Sequence, residues 1–198
     1  MSSEPPERQV RAAFDKGAVT VYQAYGEQIA EPALRAGTFV DPFRMTRMTW
    51  IKPSFLWMMY RCGWGTKPDQ ERVLALDITR EGFEWALANA CLSHFDRVRF
   101  ATEADWREAL RVSPVRVQWD PERDLRFNPL PHRAIQIGLS GSAVARYVGD
   151  WIVSVRDVTP LAHEVHAAVR AGDDEAARAL LPVERPYPLP DELTARIG

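Results

Sequence analysis

Within this 198-residue chain, the side chains best placed for chemistry are polar groups set inside apolar stretches. Gln23 interrupts the β-branched and aromatic run AVTVYQAY. Arg47, Lys52, Ser54 and Arg61 bracket FLWMMY, while Gln118, Asp120, Glu122 and Arg123 fall together in VQWDPER, and Gln136 lies inside AIQIGL. A polar group placed among apolar neighbours must find a hydrogen-bond partner or a ligand. Between Pro42 and Pro68 there are five basic residues and no acidic one, interleaved with Trp50, Trp57, Tyr60 and Trp64. Cations hold phosphates and aromatic rings stack on a base, so this segment suits a nucleotide or a nucleic acid. The structural alternative puts Trp50 and Trp57 in the core and pairs the arginines with distant acids such as Asp120 or Glu122. Those two carboxylates share one strand face only if extension persists through Pro121.

Other chemistries fail on spacing. GWGTK lacks the full phosphate-loop pattern and follows a predicted helix, not a strand. GLSGS places Ser142 where a nucleophile elbow needs its final Gly. His163 and His166 can share a helix face but have no third ligand nearby in sequence, and no metal is expected. Cys62 and Cys91 are isolated, with no disulfide framework or zinc spacing, which fits reduced thiols in a cytoplasmic setting.

The elements that must position these residues read as follows. Residues 1–7, polar and holding Pro5 and Pro6, are expected as a disordered lead-in. Ala18 to Tyr25 alternates as a strand, and Glu27 to Ala36 has helical spacing with Gly37 as its C-cap. Pro53 keeps Lys52 extended, so Met48 to Lys52 forms a short strand; Ser54 then caps a helix buried on nearly every side and closed by Gly63. Arg61, one turn beyond Trp57, stacks on that indole or leaves the core edge to meet an anion. Val73 to Ile78 is a strand, Thr79 to Leu92 a helix, and Thr102 caps another through Arg111. Val115 to Trp119 is a strand ending at Asp120-Pro121. Two more strands follow at Ala134 to Leu139 and Trp151 to Val158, with a short helix between them, and the last third is helical before an extended run PVERPYPLP.

Composition bounds the answer. The chain is 46% hydrophobic and 26% charged with a net charge of −2, an ordinary globular profile that argues against a protein whose main task is coating nucleic acid. No stretch reaches the roughly 18 apolar residues that span a bilayer, so no membrane is expected. With neither an internal repeat nor a linker, residues 8–190 read as a single α+β domain with a mixed or split sheet and flanking helices, and residues 191–198 as a C-terminal tail.

At VTVYQAY, RMTWIKPSFLWMMYRCGWGTK, ERVLALDITREGFEWAL, VRVQWDPERD and AIQIGLSG the sequence resembles the family called domain of unknown function 4291, over about Arg8 to Pro190. A second resemblance, in the order of elements, is to ADP-ribosyltransferases. There an opening strand carries His or Arg, a short helix ends in Gly, a strand with Ser or Tyr leads into a helix, and a later strand supplies Glu. VYQAY, IAEPALRAG and MTWIKPS followed by FLWMMY take those places, with Gln23 where the family has a charged residue. That resemblance implies an ADP-ribosyltransferase-like fold and NAD as substrate. It makes Glu122 or Asp120 the carboxylate that stabilises charge on the ribose, with Gln23 beside it. Arg47 and Lys52 would hold the pyrophosphate and Trp50 or Tyr22 would stack on a ring; Ser54, Gln118, Arg123 and Gln136 complete the expected binding set. The acceptor, a nucleic acid, a protein or a small molecule, stays open, as does the alternative of a nucleic-acid or nucleotide-binding module without turnover.

Overall fold

A computed structural model describes residues 5–198 as one α+β domain with two main sheets. Strands β1 (Arg11–Ala12) and β2 (Ala18–Tyr25) precede helix α1 (Glu27–Ala36), β3 (Thr49–Ile51), α2 (Phe55–Cys62), β4 (Arg72–Thr79), α3 (Arg80–Ala88) and β5 (Ala90–Leu92). Then come α4 (Glu103–Val112), β6 (Val115–Arg123), β7 (Pro129–Leu139) and α5 (Ser142–Arg146), which runs into a π-turn (Tyr147–Trp151). The chain ends with β8 (Ile152–Asp157), α6 (Thr159–Ala171), α7 (Asp174–Leu180), β9 (Arg185–Pro186) and α8 (Asp191–Ile197).

One sheet has the order β2-β4-β8 and the other β3-β7-β6-β5, antiparallel except where β5 runs parallel to β6. Strand alternation assigns each face. Val19 and Val21 of β2 and Leu74, Leu76 and Ile78 of β4 join Val115, Val117, Ile135, Ile137 and Ile51 of the second sheet in the main core. Tyr22, Val73 and Ala75, on the opposite face of the first sheet, pack with Phe55, Met58 and Met59 of α2 and with Ala162 and Val165 of α6. The first sheet therefore packs apolar residues on both faces, with a polar group of Thr20, Asp77, Ser154 and Arg156 beside Tyr22 and Ala75 on the face opposite the main core. The second has a polar outer face, on which Gln118 of β6 lies directly across from Gln136 of β7 and Trp50 of β3 across from Gly138.

Local signals set the helix ends where the sequence places them. Gly37 closes α1 at φ 72° and Gly63 closes α2 at φ 61°, both left-handed positions that favour glycine. Ser54 accepts the Trp57 N–H at 3.1 Å, and Thr102 and Asp105 form a reciprocal capping box.

Three elements depart from expectation. The helix expected through Leu92 stops at Ala88, and Ala90–Leu92 forms β5 on the edge of the second sheet. β6 continues past Pro121 to Arg123 with a register shift, so Glu122 lies in the irregular stretch. Residues 191–197, expected as tail, form α8, whose Ile197 is buried and whose carbonyl accepts the Trp119 indole N–H at 2.6 Å. Of the expected lead-in, residues 1–4 lie outside the described residues, while Glu7 is docked: its carbonyl accepts the Arg133 N–H and its carboxylate pairs with that guanidinium at 3.1 Å. The proline-rich run packs on its own domain through β9 and the buried Tyr187, which meets Phe14 edge-on at 5.0 Å.

Candidate functional site

A cleft of about 850 Å³ opens where β2, β3, the start of α1, the end of α2 and the polar face of the second sheet meet. Gln23, Arg47, Trp50, Lys52, Gln118 and Gln136, all singled out from sequence, line it together with Tyr25, Gln28, Phe43, Arg44, Arg61, Asp69 and Gln70. Its cations are Arg44, Arg47, Lys52 and Arg61, and Asp69 is its one lining carboxylate. The three arginines are exposed and have no ion-pair partner among the described residues. They are not spent on distant acids, and Arg61 leaves the core edge; it is Lys52 that lies over the Trp57 indole, at 5.8 Å.

Each side chain owes its place to a local cause. Phe39 and Phe43 stack at 4.4 Å and meet the Tyr25 ring edge-on, pinning the loop that carries Arg44 and Arg47 over the cleft. Trp50 lies across Gly138, where an added Cβ would come within 2.9 Å of the indole. Glycine there is a packing requirement. The N-terminus of α1 borders the cleft at Gly26 and Gln28, and no side chain caps it. Its partial positive charge adds to that of the arginines.

Lys52 is 6% exposed, and its amine donates to the Trp50 carbonyl at 3.0 Å. Burial pulls the amine down to about 7, with the nearby Arg61 charge acting in the same direction. Gln23 is 3% exposed and fully engaged: its amide donates to Tyr25 Oη at 2.8 Å and Thr49 Oγ1 at 2.6 Å, while its carbonyl accepts from Tyr147 Oη at 2.8 Å. It positions Tyr25 and Thr49 and offers no free group for catalysis. Burial pushes Tyr25 up to about 12.

The two expected carboxylates part company at the β6 irregularity. Asp120 accepts from both Gln118 Nε2, at 2.9 Å, and Gln136 Nε2; it holds these two lining glutamines but does not itself line the cleft. Glu122 does not line the cleft. It is half-buried and accepts the Arg123 N–H at 2.8 Å; burial raises its carboxyl above the ordinary value, against the bonds from Arg123 and Ser54, which lower it.

Three more expected binding residues are elsewhere. Tyr22 is buried edge-on to Phe55 at 5.4 Å, because the residue after Val21 points to the opposite face of β2. Ser54 caps α2 and does not line the cleft. Arg123 stacks over the Tyr60 ring at 3.9 Å and donates to the Phe127 carbonyl, tying the β6–β7 turn to α2. Arg44, Gln28, Gln70 and Tyr25 also line the cleft; the sequence carries a signal for Arg44 and Tyr25 and none for Gln28 and Gln70. Arg44 belongs to the acid-free basic run, and Tyr25 shares the face of Gln23.

Among the described residues no cluster of three or more His, Cys, Asp or Glu side chains has the arrangement of a metal site. His166 instead stacks on Trp64 at 5.3 Å. No helix of the described chain is long and apolar enough to cross a membrane. No curated protein matches the chain. A family model described as domain of unknown function (DUF4291) matches residues 9–187, nearly the whole fold including every cleft residue, and the chain belongs to that family.

Proposed function

We propose that the cleft binds a nucleotide, with its phosphates on Arg44, Arg47 and Arg61 and its ring against Trp50 or Tyr25. The observation that carries this reading is the group of arginines, unpaired among the described residues, around one concavity whose lining has a single carboxylate. Guanidinium groups bind phosphate oxygens in pairs, and an uncapped helix end adds donors beside them. The volume is in the range of pockets that enclose small ligands.

As an enzyme, the chain would use NAD and transfer ADP-ribose. Of the carboxylates chosen from sequence, only Asp120 bonds to side chains that line the cleft, so it would take the role of stabilising positive charge on the ribose as nicotinamide leaves. Gln118 and Gln136, held by Asp120, would fix the ribose hydroxyls. Labelled NAD offered with separate pools of protein, RNA, DNA and small metabolites tests the transfer. Consumption that vanishes in Asp120→Asn at unchanged melting temperature, and persists in Glu122→Gln, supports it. Tight nucleotide binding without NAD turnover leaves the binding module.

A further inference from the structure

Lys52 has properties that a phosphate clamp does not need. An ammonium carries three N–H donors, yet the Trp50 carbonyl is the only hydrogen-bond acceptor that the Lys52 amine meets among the described residues. It forms no ion pair there, although its side chain is buried to 6% exposure. The titratable groups facing it are Arg61 and Cys62 of α2 and Asp120 of β6, whose carboxylate is engaged by two glutamine amides. A neutral amine suits this setting: one N–H bonds to Trp50 and the lone pair remains free. Arg44, Arg47 and Arg61 are sufficient to hold an anion without it.

We infer that Lys52 is a reacting amine, which forms an imine with an aldehyde or ketone group on an anionic ligand held by the cleft arginines. The inference rests on the anion-holding role of the cleft but not on the anion being a nucleotide. In the addition step the nitrogen lone pair attacks the carbonyl carbon, the C=O π electrons move to oxygen, and a proton passes from nitrogen to that oxygen. Loss of water from this carbinolamine then leaves the C=N bond. Burial supplies the neutral amine near pH 7, as it does for other buried lysines that react with carbonyl compounds.

The chain has only three lysines, and Lys16 and Lys67 are both exposed, so one peptide map reads the outcome. Pyridoxal 5′-phosphate is the probe, since it joins an aldehyde, a flat ring and a phosphate; borohydride delivers hydride to the imine carbon and fixes the adduct as a secondary amine. At pH 7.5 the Lys52 adduct should form about tenfold faster than those at Lys16 and Lys67, because its larger neutral fraction outweighs its lower intrinsic nucleophilicity. Its rate should level off above pH 8 while theirs continue to climb. Pyridoxal without phosphate should label Lys52 more slowly, and Lys52→Arg should abolish that adduct alone. Labelling spread evenly over the three lysines, or confined to Lys16 and Lys67, overturns the inference. Adding excess ADP separates it from the nucleotide reading. Lys52 labelling that ADP does not slow counts against the nucleotide and leaves the amine standing, whereas ADP binding with no Lys52 adduct refutes the amine alone.

Discussion

A buried lysine costs stability unless its charge is removed or paired, and that gives Lys52 a signature in pH. It titrates at about 7 in the fold against 10.5 for an ordinary lysine. Between those values the unfolded chain carries a proton that the folded chain has released, so stability rises with pH across the window, by up to about 1.4 kcal/mol per unit. Below pH 7 both states are protonated and the slope from this residue ends. Lys52→Met should therefore be more stable than the parent at pH 7, with the difference shrinking toward pH 10; parallel urea midpoints for the two proteins at pH 7 and pH 9 would contradict the assignment. The residue type was legible in the sequence as a cation next to Trp50 and before Pro53. Its burial was not, since the covering groups come from α2 and from the second sheet.

Helix α2 links the cleft to the segment that carries Glu184. Its N-terminal Phe55 N–H donates to Glu184 at 2.7 Å, and its C-terminal turn delivers Arg61 to the cleft. Trp57 of that helix is 5% exposed, and its buried indole N–H has no hydrogen-bond partner among the described residues. Trp57→Ala should cost about 3 to 5 kcal/mol in chemical denaturation, as a large core truncation. Trp57→Phe should cost much less, because it also removes the unpaired donor; equal losses would place Trp57 outside the core. Burial, reinforced by the Glu122 charge, raises Glu184 to about 8. The folded chain then holds a proton between pH 4.5 and 8 that the unfolded chain has lost, so stability falls as pH rises through that range. Glu184→Gln keeps an acceptor for Phe55 and removes this dependence. Its gain over the parent should be larger at pH 8 than at pH 5, and a constant difference would refute the shift.

At this scale the sequence was readable where the signal is local. Gly37, Pro53-Ser54, Gly63 and the Thr102 box each name a helix end from their own neighbours. β5 was not readable, because three apolar residues following a helix look like its next turn until a strand 25 positions later pairs with them. Continuation of β6 through Pro121 has a similar cause. Pairing with β5 ends at Val117, so on that side Pro121 needs no N–H donor, and proline is tolerated where a strand becomes an edge.

For the whole molecule, the net charge of −2 conceals a division between surface and cleft. Elsewhere some arginines are neutralised nearby, as Arg72 is by Glu31 and Asp157, or Arg126 by Asp174, while others, such as Arg146 and Arg185, lie over an aromatic ring with no ion pair among the described residues. In the cleft three arginines without an ion pair among the described residues meet around one concavity, and the acid-free run from Pro42 to Pro68 was the legible trace of this. The carboxylates were harder to place, because which way Glu122 turns depends on one irregularity in β6. Calorimetric titration with ADP and with adenosine, on the parent protein and on Arg47→Ala and Arg61→Ala, tests the central claim most directly. ADP should bind more tightly than adenosine, each substitution should weaken ADP by about tenfold, or ~1.4 kcal/mol, and neither should change adenosine binding. Equal affinity for the two ligands, or ADP binding unmoved by both substitutions, would contradict a nucleotide held in this cleft by its arginines.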